Sequence, residues 1–232
     1  ALSCIFRNKV YFSLGILSVL IFFPQNNFHS EYYGKSIEIG IIQPALDPFK
    51  KFQAGEATNI EETLLNLSEK HSKVDLIIWP ESPFPYLNSS PQMKELLSKT
   101  SNFPIILSGT WEYNNNKLFN ALTLLGANQS YYKRHLVPFG EYVPFERIIR
   151  GLIEFFDLPM SSITQGRSKQ ELFNIKEFKV LGMICFDVAF PLSFIEETKK
   201  ADFIVNVSND TWFGSSYGPY QHLQIVRARA LE

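Results

Sequence analysis

Charge is what this sequence has least of. Only 19% of its 232 residues are charged, and 22 basic side chains against 23 acidic ones leave a formal net charge of −1. Basic residues do not cluster, which excludes the stripe that a nucleic-acid partner requires. Cysteine is nearly absent: Cys4 and Cys185 lie far apart in segments of different character, so no disulfide framework is readable. Four scattered histidines (His29, His71, His135 and His222) and no Cys/His spacing leave no recognisable metal site. Internal repeats and low-complexity tracts are also lacking.

Apolar residues are plentiful. A hydrophobic content of 45%, with aromatics at 15% and 21 Phe, supplies a sizeable core and apolar surface besides. Val10–Phe23 is uncharged, preceded by Arg7 and Lys9, and short of the roughly 20 residues of a spanning helix. Ala1–Phe6 extends it, the basic pair being able to snorkel at an interface. A signal peptide lacks its small-residue cleavage site here, and a buried core helix is the other alternative. The expectation is a membrane helix over residues 1–24 and a polar linker over 25–35. The basic side then lies in the cytoplasm and the main domain, 36–232, outside.

Beyond the linker the pattern alternates between strand and helix. Ile37–Pro44, Val74–Glu81, Pro104–Tyr113, Leu118–Gly126, Phe178–Cys185 and Phe203–Ser208 read as strands. Asn59–Lys73 reads as an amphipathic helix, capped by Asn59 and Glu62. Ser90-Pro91 opens a second helix, Pro191–Lys200 forms a third and Tyr220–Leu231 a last. Near-continuously apolar strands separated by helices predict an α/β layered domain. Phe139–Gln165 interrupts the rhythm, too apolar for an exposed loop and too proline-broken for a core helix. It fits either a lid or lipid contact, or a local packing subdomain.

Three strand ends carry candidate chemistry. Trp79-Pro80-Glu81-Ser82 brings Glu81 out at a sheet edge. The stretch from Tyr131 to Tyr142 sets Lys133 and Glu141 on either side of a Pro-Phe-Gly turn. Met183-Ile184-Cys185 delivers a thiol onto a turn before Pro191. A thiol needs a base, and a carboxylate in an apolar pocket has the raised pKa for that work. A tetrahedral intermediate needs positive charge or N–H donors, which a lysine and the turn amides after Cys185 would supply. Taken singly, a Glu after Trp-Pro is a solvated loop end, Lys133 beside Arg134 is surface charge, and a free cysteine is core filling.

The segments WPES, YYKRHLVPFGEYVP, GMICFDVAFP and VSNDTWFG resemble the nitrilase (carbon–nitrogen hydrolase) superfamily. Within it, HLVPFGEYVPFE, SNDTWFG and QHLQIVRARALE are similar to the apolipoprotein N-acyltransferase family, from about Ile37 to the last residue. That resemblance implies an α-β-β-α sandwich preceded by a membrane helix, in the bacterial inner membrane with the catalytic domain on the periplasmic side. It implies Cys185 as nucleophile, Glu81 as general base, Lys133 as stabiliser of the intermediate and Glu141 as a further essential acid. Phe139, Tyr142, Phe186, Asp187, Ser208 and Trp212 are expected to support the site or touch lipid. The implied reaction moves an acyl chain from a phospholipid, through a thioester, to the diacylglyceryl-cysteine of an apolipoprotein, with no cofactor. A nitrilase-type amidase and an inactive truncated fragment are the alternatives. The family usually carries Tyr-Glu where this chain has Phe186-Asp187, and it continues into further strands beyond a helix like the closing one, so the domain is expected to be C-terminally incomplete.

Overall fold

The computed structural model describes residues 34–142 and 163–232. The expectations for Val10–Phe23, and for all but the margins of the Phe139–Gln165 segment, lie outside the described residues. The chain divides into two compact units, Ala1–Ser36 and Ile37–Glu232, and the second carries the layered domain.

Its first sheet has five strands in the order β1-β2-β3-β4-β5. These are β1 (Ile39–Ile41), β2 (Leu76–Ile78), β3 (Ile105–Asn114), β4 (Lys117–Leu124) and β5 (Ser130–Tyr132). The pairs β1–β2 and β2–β3 are parallel, and β3–β4 and β4–β5 antiparallel. The second sheet has the order β6-β7-β8, from β6 (Phe173–Ile175), β7 (Phe178–Ile184) and β8 (Phe203–Val207). Among the described residues the α-helices are α1 (Glu56–Glu69), α2 (Pro91–Lys99), α3 (Ile195–Thr198) and α4 (Gly218–Leu231).

Period-two alternation in β2 splits the core into two layers. Leu76 and Ile78 face the second sheet, among Leu107, Leu122, Val180 and Met183. Ile77 and Trp79 face the helices, among Ile60 and Leu64 of α1 and Met93 and Leu96 of α2. From Val180 to Ile184 β7 is buried on both faces, and Ile225 and Val226 of α4 pack against the inter-sheet cluster. Gly182 sets the sheets' separation: a Cβ there would lie 2.7 Å from a Phe173 ring carbon and 2.8 Å from Leu122 Cδ2.

Several elements differ from expectation. β1 is an edge strand with Ile41 69% exposed, rather than a buried one. Helix α1 begins three residues early, behind Gly55 at φ +82, so Asn59 bonds Glu56 within the helix instead of capping it. Ser90 does cap α2, accepting from the Met93 amide at 3.1 Å. Pro191–Phe194 is a 3-10 turn that leads into the short α3, because Pro191 follows Phe190 at φ −118, ψ 65. Strands β5 and β6 are too short for an alternation signal and come from pairing with β4 and β7. Among the described residues no helix is long and apolar enough to cross a membrane.

Candidate active site

β2 carries the chain to Trp79, and Glu81 follows where the strand has ended. Gly109 on β3 makes this possible, because its amide donates to Pro80 O at 3.1 Å. A Cβ on Gly109 would lie 2.2 Å from Ser82 N and 2.7 Å from Glu81 Cα, so only glycine lets the two backbones meet.

Lys133 follows β5 and is 1% exposed, far from the surface position its Lys-Arg context suggests. Its ammonium lies 2.9 Å from Glu141 Oε1 and 3.3 Å from Glu81 Oε1. Asn120 of β4 donates to the same oxygens, at 2.8 Å to Glu81 and 3.1 Å to Glu141. Ser82 Oγ in turn donates to Asn120 Oδ1 at 2.9 Å, and the buried Lys51 donates to Ser82 O at 2.8 Å. The Asn209 amide reaches the other Glu81 oxygen at 3.3 Å. The pocket around Glu81 is therefore a polar cage, not the apolar surroundings the sequence argument assumed.

Glu141 is returned to Lys133 by a self-closing turn. Phe139, at φ +61, donates its amide to Tyr142 O at 2.7 Å. The Glu141 amide donates to Val137 O at 2.9 Å while the Val137 amide donates to Glu141 Oε2 at 2.8 Å. Burial works to lower the Lys133 pKa, but Glu81, Glu141 and Cys185 outweigh it and raise it above the ordinary lysine value. Burial lowers the Lys51 ammonium to about 8, with Glu81 opposing.

Cys185 ends β7 with a left-handed backbone, φ +48, as expected of a strand-to-turn thiol. Burial, then Glu81, push its pKa up to about 12, against Lys133 and the Ser208 hydroxyl, which pull it down. A thiol with so raised a pKa stays protonated near neutrality, so a nucleophilic role would require a base. Of the groups that act on it, Glu81 and Lys133 are sequence candidates.

Asp187 is structural. It is 0% exposed and accepts from Tyr131 Oη at 2.8 Å, the His135 amide at 2.8 Å, and the amides of Arg134 and Ile184 at 3.2 Å. It thus ties the cysteine turn to the strand end that bears Lys133. His135 Nδ1 also lies 3.2 Å from Asp187, and its Nε2 3.1 Å from Ser193 Oγ. That Asp–His–Ser chain acts as a clamp, since the Ser193 amide is spent on Phe190 O. Arg134 completes the clamp, donating to Ser193 O at 2.8 Å and Glu197 Oε1 at 2.7 Å with its guanidinium over Phe194.

The remaining expected residues lie apart from the Glu81–Lys133–Glu141 cage. Phe186 stacks edge-on against Phe190, and Trp212, 57% exposed, packs edge-on against Phe49 at 4.7 Å. Phe139 and Tyr142 are exposed on the turn that carries Glu141. Ser208 donates to Asp210 Oδ1 at 2.5 Å. Sequence reasoning missed Asn120, Lys51, Asn209, Asp210 and His222, because each works through a contact distant in sequence. Cys185, Asp210 and His222 bring possible metal-ligand atoms within 4.8 Å of one another. Both His222 nitrogens are already engaged, with Asp210 and with the Cys185 carbonyl, so the group is a hydrogen-bonded ring and not an open ligand set.

Comparison with known proteins fits this arrangement. Residues 39–232 match the carbon-nitrogen hydrolase family model. Apolipoprotein N-acyltransferases from Pseudomonas syringae pv. tomato and Pseudomonas aeruginosa are 33% and 34% identical to it over 211 and 208 residues. Each alignment covers 86% of this chain, which spans 41% of the relatives' length. A carbon–nitrogen hydrolase superfamily protein from Xanthomonas campestris, whose structure has an arsenic adduct in its active site, shares the fold. Its TM-score is 0.56 at 21% identity, over 76% of this chain and 66% of that one. A Helicobacter pylori carbon–nitrogen hydrolase has a TM-score of 0.54 at 18% identity, over 84% of this chain and 69% of that one. With a matching strand framework and a family match over most of its length, this chain belongs to the carbon–nitrogen hydrolase family.

Proposed function

We propose that this chain carries the catalytic centre of an N-acyltransferase that works through a Cys185 thioester. The observation that carries the reading is the buried Lys133 ammonium held between Glu81 and Glu141, with Cys185 near enough for Glu81 and Lys133 to move its proton affinity. Glu81 takes the thiol proton as Cys185 attacks the ester carbonyl of a phospholipid. The oxyanion forms beside Lys133, whose charge is fixed in place before the reaction and needs no reorganisation. As the carbonyl re-forms, the lysophospholipid oxygen leaves with the proton from Glu81, and the acyl group stays on sulfur. The free amine of a diacylglyceryl-cysteine on an apolipoprotein then attacks the thioester, gives a proton to Glu81, and expels the thiolate, which regains that proton. Glu141 takes no proton; it holds Lys133. The name of the relatives, apolipoprotein N-acyltransferase, favours this over a small amide, as do the exposed rings Phe139, Phe186 and Trp212. The Val10–Phe23 run provides the membrane attachment in this reading, with the domain on the periplasmic side of a bacterial inner membrane.

The test is to incubate the protein with phosphatidylethanolamine vesicles, quench in acid, and locate the adduct by mass spectrometry. The expected result is an acyl mass on the Cys185 peptide that disappears when a diacylglyceryl-cysteine peptide is added. Turnover of small amides with no lipid-derived adduct would make the chain an amidase. Neither product would make it a non-catalytic relative.

A further inference from the structure

Glu81 and Lys133 act on Cys185 electrostatically; a separate chain of polar contacts through His222 also reaches that residue. His222 on α4 places Nδ1 at 2.9 and 3.0 Å from the two Asp210 oxygens, and Nε2 at 3.1 Å from the Cys185 carbonyl oxygen. Asp210 also accepts from Ser208 Oγ, and the Ser208 hydroxyl and Asp210 both act on the Cys185 thiol, in opposite directions. Both neighbours of the imidazole are acceptors only. A neutral ring has one N–H and can serve one of them, leaving a lone pair facing the other. The ring satisfies both only with two protons. The residue whose carbonyl it holds has φ +48, a conformation that persists in a non-glycine residue only where its surroundings impose it.

We propose that His222 is a positioning residue for the nucleophile: an imidazolium clamped between Asp210 and the Cys185 carbonyl, holding the left-handed turn that aims the thiol at Glu81 and Lys133. The inference rests on the Glu–Lys–Cys reading and adds to it an element that touches neither substrate nor sulfur. The charged and titratable groups facing the ring are Asp210 from the turn before α4, the Cys185 residue itself, and Glu81 at the end of β2. The hydrogen bond to Asp210 raises the His222 pKa above its ordinary value, in keeping with the doubly protonated ring.

The experiment is stopped-flow acylation of the full chain by p-nitrophenyl hexanoate, with the adduct located on the Cys185 peptide, from about pH 6 to about pH 10. Wild type should slow on the alkaline side as His222 loses its second proton. His222→Gln keeps a donor for the carbonyl, so its rate near neutrality should stay within about threefold of wild type and its alkaline fall should vanish. His222→Leu should be slower by about tenfold at saturating ester with KM unchanged. A His222→Leu rate equal to wild type, or an alkaline fall that persists in His222→Gln, overturns the inference. If the Leu variant fails to fold by circular dichroism, the Gln profile decides alone. Glu81→Gln separates the two levels: its loss of adduct beside unaltered His222 variants sinks only this inference. No Cys185 adduct in wild type removes the triad reading and this inference together.

Discussion

Replacing Asp187 with alanine is expected to cost more stability than any other single-carboxylate deletion in the domain. Four donors converge on that carboxylate: the Tyr131 hydroxyl and the amides of Ile184, Arg134 and His135. The side chain is fully buried and Tyr131 nearly so, which leaves water little access. If two of the four donors are left without a partner, at about 1–3 kcal/mol each, the loss is about 2–6 kcal/mol. Against a domain stability of about 5–15 kcal/mol, that is a large share. Asp187→Asn keeps one acceptor oxygen but turns an NH2 group toward donors, and should cost about 1–3 kcal/mol. Asp187→Glu, the residue that the acyltransferase resemblance leads one to expect, must fit an extra methylene into a closed site and should also destabilise, by about 1–3 kcal/mol. Urea unfolding followed by far-UV circular dichroism measures all three. Alanine and asparagine variants within about 0.5 kcal/mol of wild type would refute the view of Asp187 as the joint between the cysteine turn and the lysine strand.

Three further outcomes follow from the same geometry. Lys133→Met should abolish Cys185 acylation and lower stability by about 3–5 kcal/mol, because Glu81 and Glu141 are left without their shared cation; a stable variant that still forms the adduct would contradict it. Gly109→Ala should push the backbone around Glu81 and slow acylation while costing about 1–3 kcal/mol, since the clash is with backbone and not with a side chain that can rotate away. The pH dependence of stability should show two opposed contributions. The Lys51 pKa is lowered to about 8 in the fold against 10.5 unfolded, so its burial cost is present below about pH 8 and relieved as pH rises to 10.5, adding about 3 kcal/mol. Cys185, raised from 9.0 to about 12, contributes stability that is full below pH 9.0 and lost as pH rises to about 12. Difference curves for Lys51→Met and Cys185→Ser, obtained from urea titrations across that range, separate the two; curves of the same sign would refute the assignment.

What the sequence makes legible here is what local pattern encodes. The strand ends that carry Glu81 and Cys185 were readable because a run of apolar residues stops beside a turn residue, and both strands lie where that pattern puts them. The candidate site was legible as a set of motifs, but the burial and partners of each group were not. Lys133 sits beside Arg134, and nothing local says that both are buried. Their burial comes from β4 and β5 pairing and from carboxylates 8 and 52 residues distant meeting one ammonium. Strands as short as Ser130–Tyr132 and Phe173–Ile175 carry no period of their own and exist because a longer neighbour offers its edge.

Asp187 and His222 show the same limit more sharply. Each reads locally as an isolated polar residue, Asp187 two places after Cys185 and His222 on a helix with no evident reason to carry one. Their meaning lies in partners 56 and 37 residues away, Tyr131 and the Cys185 carbonyl. One carboxylate ties the cysteine turn to the lysine strand, and one imidazole bonds the cysteine carbonyl. The Cys185 turn is thus tied at two points. A left-handed cysteine costs about 1–3 kcal/mol of backbone strain, and two buried polar anchors of this kind are enough to offset it. That balance predicts that losing either anchor relaxes the turn as well as weakening the fold. A combined Asp187→Asn, His222→Leu variant should then lose acylation by more than the product of the single effects, because both act on one strained residue. Independent effects would mean that the two anchors hold separate things.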